Sequence, residues 1–241
     1  MPRAEAKHAL WIADIESALA PLADTEAAAG MRAYMRGRFD YLGIPTPERR
    51  AAVKPLIRSF APADAPHLRL VALALWQMPR REYQYIAVDL LVLHASALTI
   101  DDLSWLLDLA QQKSWWDSVD AIVKVVSKIV RVSGAKGRRQ MDRAIGHDNL
   151  WVRRIAMLHQ LGWRSDTDTT RLFGYADRLA PEKEFFIRKA IGWALRDYAW
   201  HDWRAVNQYL RTAGKHLSSL TLREAAKNIP ALAAKPGATR S

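Results

Sequence analysis

The 241-residue chain contains no cysteine. This absence excludes a disulfide scaffold, a zinc ribbon, an iron–sulfur cluster and a cysteine nucleophile, and it fits a reducing cytoplasm. The chain also lacks an uncharged apolar run of the ~20 residues that a membrane-spanning helix needs. Acidic residues interrupt the apolar stretch near the N-terminus, which is not typical of a secretory signal. We therefore expect a soluble cytoplasmic protein that does not associate with a membrane.

Several chemical signatures are missing as well. Neither GxGxxG nor GxxxxGK[ST] occurs, so the common glycine-rich phosphate loops are excluded. The seven histidines are scattered without metal-ligand spacing, and no local Ser-His-Asp signature is present. The sequence therefore predicts a protein that uses no cofactor and no metal.

Negative charge is in short supply. The chain has 36 Lys and Arg against 25 Asp and Glu, which gives a formal net charge of +11. Hydrophobic residues make up 50% of the chain and ten are tryptophans, which excludes a disordered polyampholyte. An excess of cations favours a polyanionic partner, most commonly a nucleic acid, and charge kept only for solubility is the alternative.

Helical periodicity runs through nearly the whole sequence. Apolar residues recur every three or four positions, and no alternating β-branched run or hairpin dipeptide interrupts them. We expect one all-α domain over residues 1–230 and a disordered tail over 231–241. The predicted helices span 4–20, 25–39, 47–60, 65–77, 80–97, 100–111, 115–132, 137–146, 149–162, 168–179, 183–199, 202–213 and 220–229.

The helices form an internal repeat. Alignment of the longer helix of each pair superimposes six alanines, which we call the marker alanines: Ala52, Ala87, Ala121, Ala156, Ala190 and Ala225. Their separations are 35, 34, 35, 34 and 35 residues. This period predicts an α-solenoid of about six antiparallel helix pairs with a concave basic surface, close in period to the TPR and HEAT classes. An irregular helical bundle is the alternative.

One face of the marker helices carries arginines, aromatic rings and one acid. The position two before the marker alanine is arginine in four of six repeats, and Trp116, Trp151 and Phe185 lie five before it. Asp120 directly precedes its marker alanine, and Trp193 lies at the other edge of the face. Such a face suits a phosphate backbone with bases or sugars against the rings, whereas core packing of tryptophan and ordinary ion pairs are the alternatives. The basic residues expected to contact the nucleic acid are Arg50, Arg153, Arg188, Lys189, Arg196 and Arg223.

Four segments carry a resemblance to a known family. They are LGIPTPERR at 42–50, KSWWDSVD at 113–120, DNLWVRR at 148–154 and KEFFIRKAIGW at 183–193. In order and spacing they resemble the AlkD-type alkylpurine DNA glycosylases, a family of HEAT-like helical-repeat proteins, and the likeness extends over about residues 31–229. The resemblance implies a bacterial, cytoplasmic DNA repair enzyme that acts without a cofactor, as a monomer, on double-stranded DNA containing alkylated bases.

The resemblance also implies the residues of the site. The catalytic acid of the family falls on Asp120, its two active-site tryptophans on Trp116 and Trp193, and its active-site arginine on Arg154, expected to hold a phosphate. A tyrosine that contacts DNA falls on Tyr34. The implied reaction is hydrolysis of the N-glycosidic bond of cationic N3- and N7-alkylated purines by a monofunctional glycosylase.

The chemistry is consistent with a single carboxylate. An alkylated purine is already a cation and leaves as a neutral base, so no general acid is needed, in contrast to ordinary glycoside hydrolysis. Asp120 is expected to stabilise the oxocarbenium-like sugar and to position water. The alternative function is a non-catalytic helical-repeat module that binds damaged DNA or an acidic protein partner.

Overall fold

The structure, a computed structural model, describes residues 2–62 and 64–230, with side chains from His8 onward. Twelve α-helices lie in these residues, with short 3-10 turns between some of them, and no β-strand occurs there. The all-α prediction is confirmed. Within the same residues, no helix has both the length and the apolarity to span a membrane. The predicted disordered tail, residues 231–241, lies outside the described residues.

The twelve helices, numbered in chain order, follow the predicted sequence of elements. Their bounds are α1 Pro2–Leu19, α2 Thr25–Tyr34, α3 Thr46–Ser59, α4 Ala65–Gln77, α5 Arg81–Leu93, α6 Leu103–Ala110, α7 Trp116–Ser133, α8 Ala135–Ala144, α9 Leu150–Leu158, α10 Thr169–Leu179, α11 Phe185–Ala213 and α12 Ser219–Ala225.

Four predicted helix ends were wrong by four residues or more: those of α2 and α5, and those of α9 and α12, which end at Leu158 and Ala225 rather than at residues 162 and 229. Helix α2 ends at Tyr34 rather than at residue 39, because Arg36 and Gly37 adopt left-handed φ angles of 57° and 71° that a right-handed helix cannot contain. Helix α5 ends at Leu93 rather than at residue 97, and the chain continues as a separate 3-10 turn.

Helix α11 contains two of the predicted helices, 183–199 and 202–213. Asp202 has non-helical dihedral angles, φ −138° and ψ 82°, and therefore marks a kink between the two halves. Its Oδ1 accepts a hydrogen bond of 3.0 Å from the amide of Ala205, as an N-cap side chain does at the start of a helix. The predicted break therefore exists within one continuous helical segment.

The chain divides into a first compact unit that ends at Leu98 and a second that begins at Thr99. Each has its own buried core. In the first unit, α1 packs against α3, α3 against α5 and α4 against α5. The single-domain boundary given above stays a prediction.

The second unit shows the repeat directly. Its marker helices pack in chain order, α7 against α9, α9 against α11 and α11 against α12. The marker alanines Ala156, Ala190 and Ala225 are fully buried. A methyl group at these positions permits close helix contact, so the 35-residue period reflects a recurring packing unit and the helical-repeat class is confirmed.

Candidate active site

Asp120 and Arg154 meet across the contact between α7 and α9. Each is the fifth residue of its helix, and they lie one and two residues before their marker alanines, so packing of adjacent repeats brings neighbouring register positions together. Nε of Arg154 donates to Oδ1 of Asp120 and Nη2 donates to Oδ2, both at 2.7 Å. The third nitrogen, Nη1, donates to the carbonyl oxygen of Phe186 at 2.5 Å. Because the guanidinium is planar, this fork fixes the plane of the carboxylate.

The two partners differ sharply in exposure. The side chain of Arg154 is 1% exposed, whereas that of Asp120 is 22% exposed. A buried guanidinium is stable only where carboxylate and carbonyl oxygens accept its hydrogen bonds, which is the case here. The hydrogen bonds of Arg154 thus fix the orientation of the Asp120 carboxylate, while part of that side chain stays exposed to solvent.

Trp193 of α11 is half-buried beside this pair. Its ring centroid lies 5.3 Å from Cζ of Arg154, 5.4 Å from Nζ of Lys189 and 5.8 Å from Cζ of Arg196. These distances are within the range of cation–π attraction. The indole is therefore oriented by protein cations before any ligand is present.

Glu224 of α12 anchors two of those cations. It accepts hydrogen bonds from Lys189 at 2.8 Å and from Arg196 and Lys227 at 2.9 Å. Its side chain is only 8% exposed. Burial alone raises the pKa of this carboxyl group, but the hydrogen bonds and charges of Lys189 and Lys227 outweigh burial and lower the pKa to about 2.

Sequence reasoning missed Glu224. It directly precedes the marker alanine Ala225, just as Asp120 directly precedes Ala121. The repeat register therefore contained a signal for Glu224, because it places a second acid at the position that Asp120 occupies in its own repeat.

The predicted aromatic stripe is only partly exposed. Trp116 is half-buried at the first position of α7, one helical turn before Asp120. Phe185 is 55% exposed, but Trp151 is 8% exposed, so its assignment to an open face was wrong. Its ring packs at 5.8 Å from Trp115 and 5.0 Å from Phe186, because the start of α9 is buried under α7 and α11.

The remaining predicted DNA-binding residues of the second unit differ in their partners. Arg153 forms a two-bond pair with Glu182 at 2.7 and 2.8 Å, and Arg188 donates to the carbonyl oxygen of Glu182 at 2.9 Å. Arg223 is exposed on α12. Of the predicted site residues, the structure brings five together in one cluster: Asp120, Arg154, Trp193, Lys189 and Arg196.

Two predicted DNA contacts belong to the first unit. Tyr34 is 73% exposed at the end of α2. Arg50 of α3 donates to both oxygens of Asp89 at 2.8 and 3.2 Å and remains 57% exposed. Their role in DNA contact stays a prediction.

Comparisons with known proteins bear on the family of the chain. The sequence profile of the DNA alkylation repair enzyme family matches residues 15–229. The chain belongs to this family. The resemblance seen in the sequence motifs is confirmed, and DNA alkylation repair is the process in which this family member acts.

Solved structures support the same assignment. A predicted DNA alkylation repair enzyme from Enterococcus faecalis superimposes with a TM-score of 0.79 and 32% identity, over 86% of this chain and 97% of that one. AlkD2 from Streptococcus mutans superimposes with a TM-score of 0.59 over 77% of this chain and 91% of that one. At 18% identity, the second likeness shows the fold alone. A comparison with curated protein sequences gave no match.

Proposed function

We propose that this member of the DNA alkylation repair family is a monofunctional DNA glycosylase. It hydrolyses the N-glycosidic bond of cationic N3- and N7-alkylated purines in duplex DNA, as a monomer without a cofactor, and leaves an abasic site. One observation carries the proposal: the carboxylate of Asp120 is oriented by a buried arginine, whose Cζ lies 5.3 Å from the ring centroid of Trp193, and is still 22% exposed.

The reaction needs one carboxylate. As the bond from C1′ of the sugar to the purine nitrogen breaks, both electrons leave with the base, which becomes neutral. The positive charge that develops on the sugar is stabilised by Asp120. Water then adds to C1′, and the proton that it loses passes to the carboxylate or to bulk water.

Arg154 acts through Asp120 in this proposal. The resemblance assigns it a phosphate contact, but its three guanidinium nitrogens bond to Asp120 and Phe186 and its side chain is 1% exposed. A buried fork of this kind favours orientation of the carboxylate over contact with the DNA backbone. We therefore assign Arg154 as a positioning residue.

Trp116 and Trp193 offer aromatic faces on either side of the carboxylate in the helix register. A cationic purine or an oxocarbenium-like sugar is attracted by such a face, by about 0.5–2 kcal/mol for each contact. The cations that surround Trp193 already engage its aromatic face and leave less of its quadrupole for a ligand.

The DNA backbone would be held by the surface arginines and lysines. The candidates are Arg50, Arg153, Arg188, Lys189, Arg196 and Arg223. Arg50 shows how this could occur: its pair with Asp89 leaves it 57% exposed, and because an exposed ion pair contributes only about 0–1 kcal/mol, a phosphate can compete with Asp89 for it. Release of counterions from the DNA then favours binding.

The direct test is release of 7-methylguanine from a methylated duplex. We expect Asp120→Asn to lower the rate of base release by about 100-fold or more, since stabilisation of the developing charge is lost while the shape is kept. Asp148→Asn makes the same chemical change at an exposed aspartate of the same unit and should leave the rate unchanged. Binding of both variants to undamaged duplex should equal that of the wild type.

Two results would contradict the proposal. Base release by the wild type no faster than by Asp120→Asn would favour the non-catalytic module that binds damaged DNA or an acidic protein. Base release that depends equally on Asp148 would show that the loss of an acidic charge, rather than this site, matters.

A further inference from the structure

A cavity of about 340 Å³ lies within the first unit, apart from the residues assigned above to catalysis. It is formed by α2, the loop before α3, α3 itself and α5. Aromatic and thioether side chains dominate its wall, together with one arginine: Met31, Tyr34, Met35, Tyr41, Tyr85 and Arg49. This volume and lining are typical of sites that take one small organic group.

Arg49 is short of hydrogen-bond acceptors. Its side chain is 3% exposed, and its Nη2 lies 3.3 Å from Oδ2 of Asp89. That carboxylate is held more closely by Arg50, at 2.8 Å. Among the described residues nothing accepts a hydrogen bond from Nε of Arg49. Burial lowers the pKa of this guanidinium, although Asp89 opposes the shift.

The polar atoms around Arg49 favour a neutral acceptor over an ion. Glu82 is fully buried, and its carboxylate accepts hydrogen bonds from the amides of Leu42 and Gly43 at 2.9 and 3.0 Å. Glu82 therefore fixes the loop rather than offering itself to a cation. Glu82 and Asp89 also repel an anion, so a free phosphate is disfavoured as the occupant.

Flat aromatic rings are the ligands that the walls suit best. The guanidinium of Arg49 lies 4.7 Å from the ring centroid of Tyr85, and the hydroxyl groups of Tyr41 and Tyr85 are 3.3 Å apart. Tyr34, 73% exposed, forms part of the rim. Tyrosine faces stack on any nucleobase, and every nucleobase carries a ring nitrogen or carbonyl oxygen that accepts one hydrogen bond.

We propose that this cavity is a second DNA-contact site, which binds a single unpaired nucleobase without strong preference among the four. Tyr85 lies two residues before its marker alanine, as Arg154 does in its own repeat, so the two residues occupy the same register position of their helices. The identification of the polymer as DNA rests on the proposed function. The binding of a base to this cavity is testable without any excision activity.

Methionine methyl groups provide the measurement. The full chain is labelled at the methionine methyl carbons and titrated by NMR with adenosine, guanosine, cytidine and thymidine, each up to its solubility limit. We expect saturable shifts of the Met31 and Met35 signals, assigned by their leucine variants. Met141 and Met157, buried in the second unit, should not move. Ribose and inorganic phosphate, titrated alone, should cause no shift.

Two variants separate base binding from packing. Arg49→Leu leaves Asp89 paired with Arg50 and should weaken nucleoside binding by about tenfold or more, because a charge-assisted hydrogen bond is lost. Arg58→Leu removes the same charge at an exposed position of the same helix and should have no effect. Tyr34→Ala, exposed and therefore safe for folding, should weaken binding about tenfold through lost stacking.

The proposal is overturned if no nucleoside shifts Met31 or Met35, or if ribose or phosphate shifts them as strongly. It is also overturned if Arg49→Leu and Tyr34→Ala bind nucleosides as the wild type does, in which case Arg49 only packs on Tyr85. Asp120→Asn should bind nucleosides normally. Loss of excision with intact nucleoside binding, or the reverse, therefore tells the two proposals apart.

Discussion

Arg154 shows how much one side chain depends on the shape of its charge. The fork to Asp120 uses two nitrogens held in one plane, and a lysine offers only a point charge on a flexible stem. Replacement by lysine would keep the net charge of the unit but lose the fixed plane of the carboxylate. This replacement therefore tests whether the orientation of the carboxylate matters separately from the charge beside it.

We expect Arg154→Lys to lower the single-turnover rate of base release by about 10- to 100-fold, with little change in affinity for undamaged duplex. The matched control is Arg139→Lys, an exposed arginine of α8. Equal losses of rate and of duplex affinity, with a reduced dependence of affinity on salt, would instead support the phosphate contact that the family resemblance implies.

At the level of residues, the sequence predicted identities better than environments. The repeat register and the motifs together selected Asp120, Arg154 and Trp193, which the structure brings together. The same register treated Arg154 and Trp151 as parts of an open face, and both are buried. Burial depends on how much of each helix its neighbours cover, and the helical period alone does not contain that information.

At the level of elements, the order of helices was predictable because each apolar stripe has one period and clear breaks. The ends were less so. A left-handed φ at Arg36 is set by the tertiary path of the chain into the following loop, and nothing about arginine indicates it. The kink at Asp202 was predictable, because an aspartate that caps the second half of α11 is a local signal.

The contact between α11 and α12 depends on a glycine. A Cβ added at Gly192 would lie 2.5 Å from Cβ of Glu224 and 3.0 Å from the carbonyl oxygen of Thr221. Those distances are too short for real atoms, so a methyl group must push α12 away. Glu224 would move with that helix and release its hold on Lys189 and Arg196.

We expect Gly192→Ala to lower the free energy of unfolding by about 1–3 kcal/mol, measured by urea denaturation. Gly174→Ala is the matched control, because a Cβ there meets nothing within 4 Å and α10 should gain up to ~1 kcal/mol from the better helix former. Unchanged stability of Gly192→Ala would mean that the two helices separate at no cost.

On the scale of the whole molecule, the surplus of eleven positive charges makes each buried carboxylate important for stability in acid. Glu224 has a pKa of about 2 in the folded chain against an ordinary value of 4.5. Its stabilising effect is therefore complete above pH 4.5 and is lost as the pH falls from 4.5 to 2. The shift corresponds to about 3 kcal/mol.

Unfolding monitored by circular dichroism between neutral pH and about pH 3 checks this linkage. The free energy of unfolding of Glu224→Gln should be lower than that of the wild type at neutral pH, and the gap should narrow as the pH falls. Glu184→Gln, at an exposed position before α11, should follow the wild-type curve. A gap that stays constant with pH would exclude the ionisation of Glu224 as its cause.

The spacing of the ion pairs has an evolutionary consequence. Asp120 and Arg154 are 34 residues apart, and Lys189 and Glu224 are 35 apart, so each pair joins adjacent repeats. Repeat proteins commonly lengthen by duplication, because each unit offers its neighbours the same interface. A unit inserted between α7 and α9 would separate the carboxylate of Asp120 from the buried guanidinium whose hydrogen bonds it accepts. We therefore expect an added repeat at this point to destabilise the chain unless the new unit supplies its own acid to Arg154.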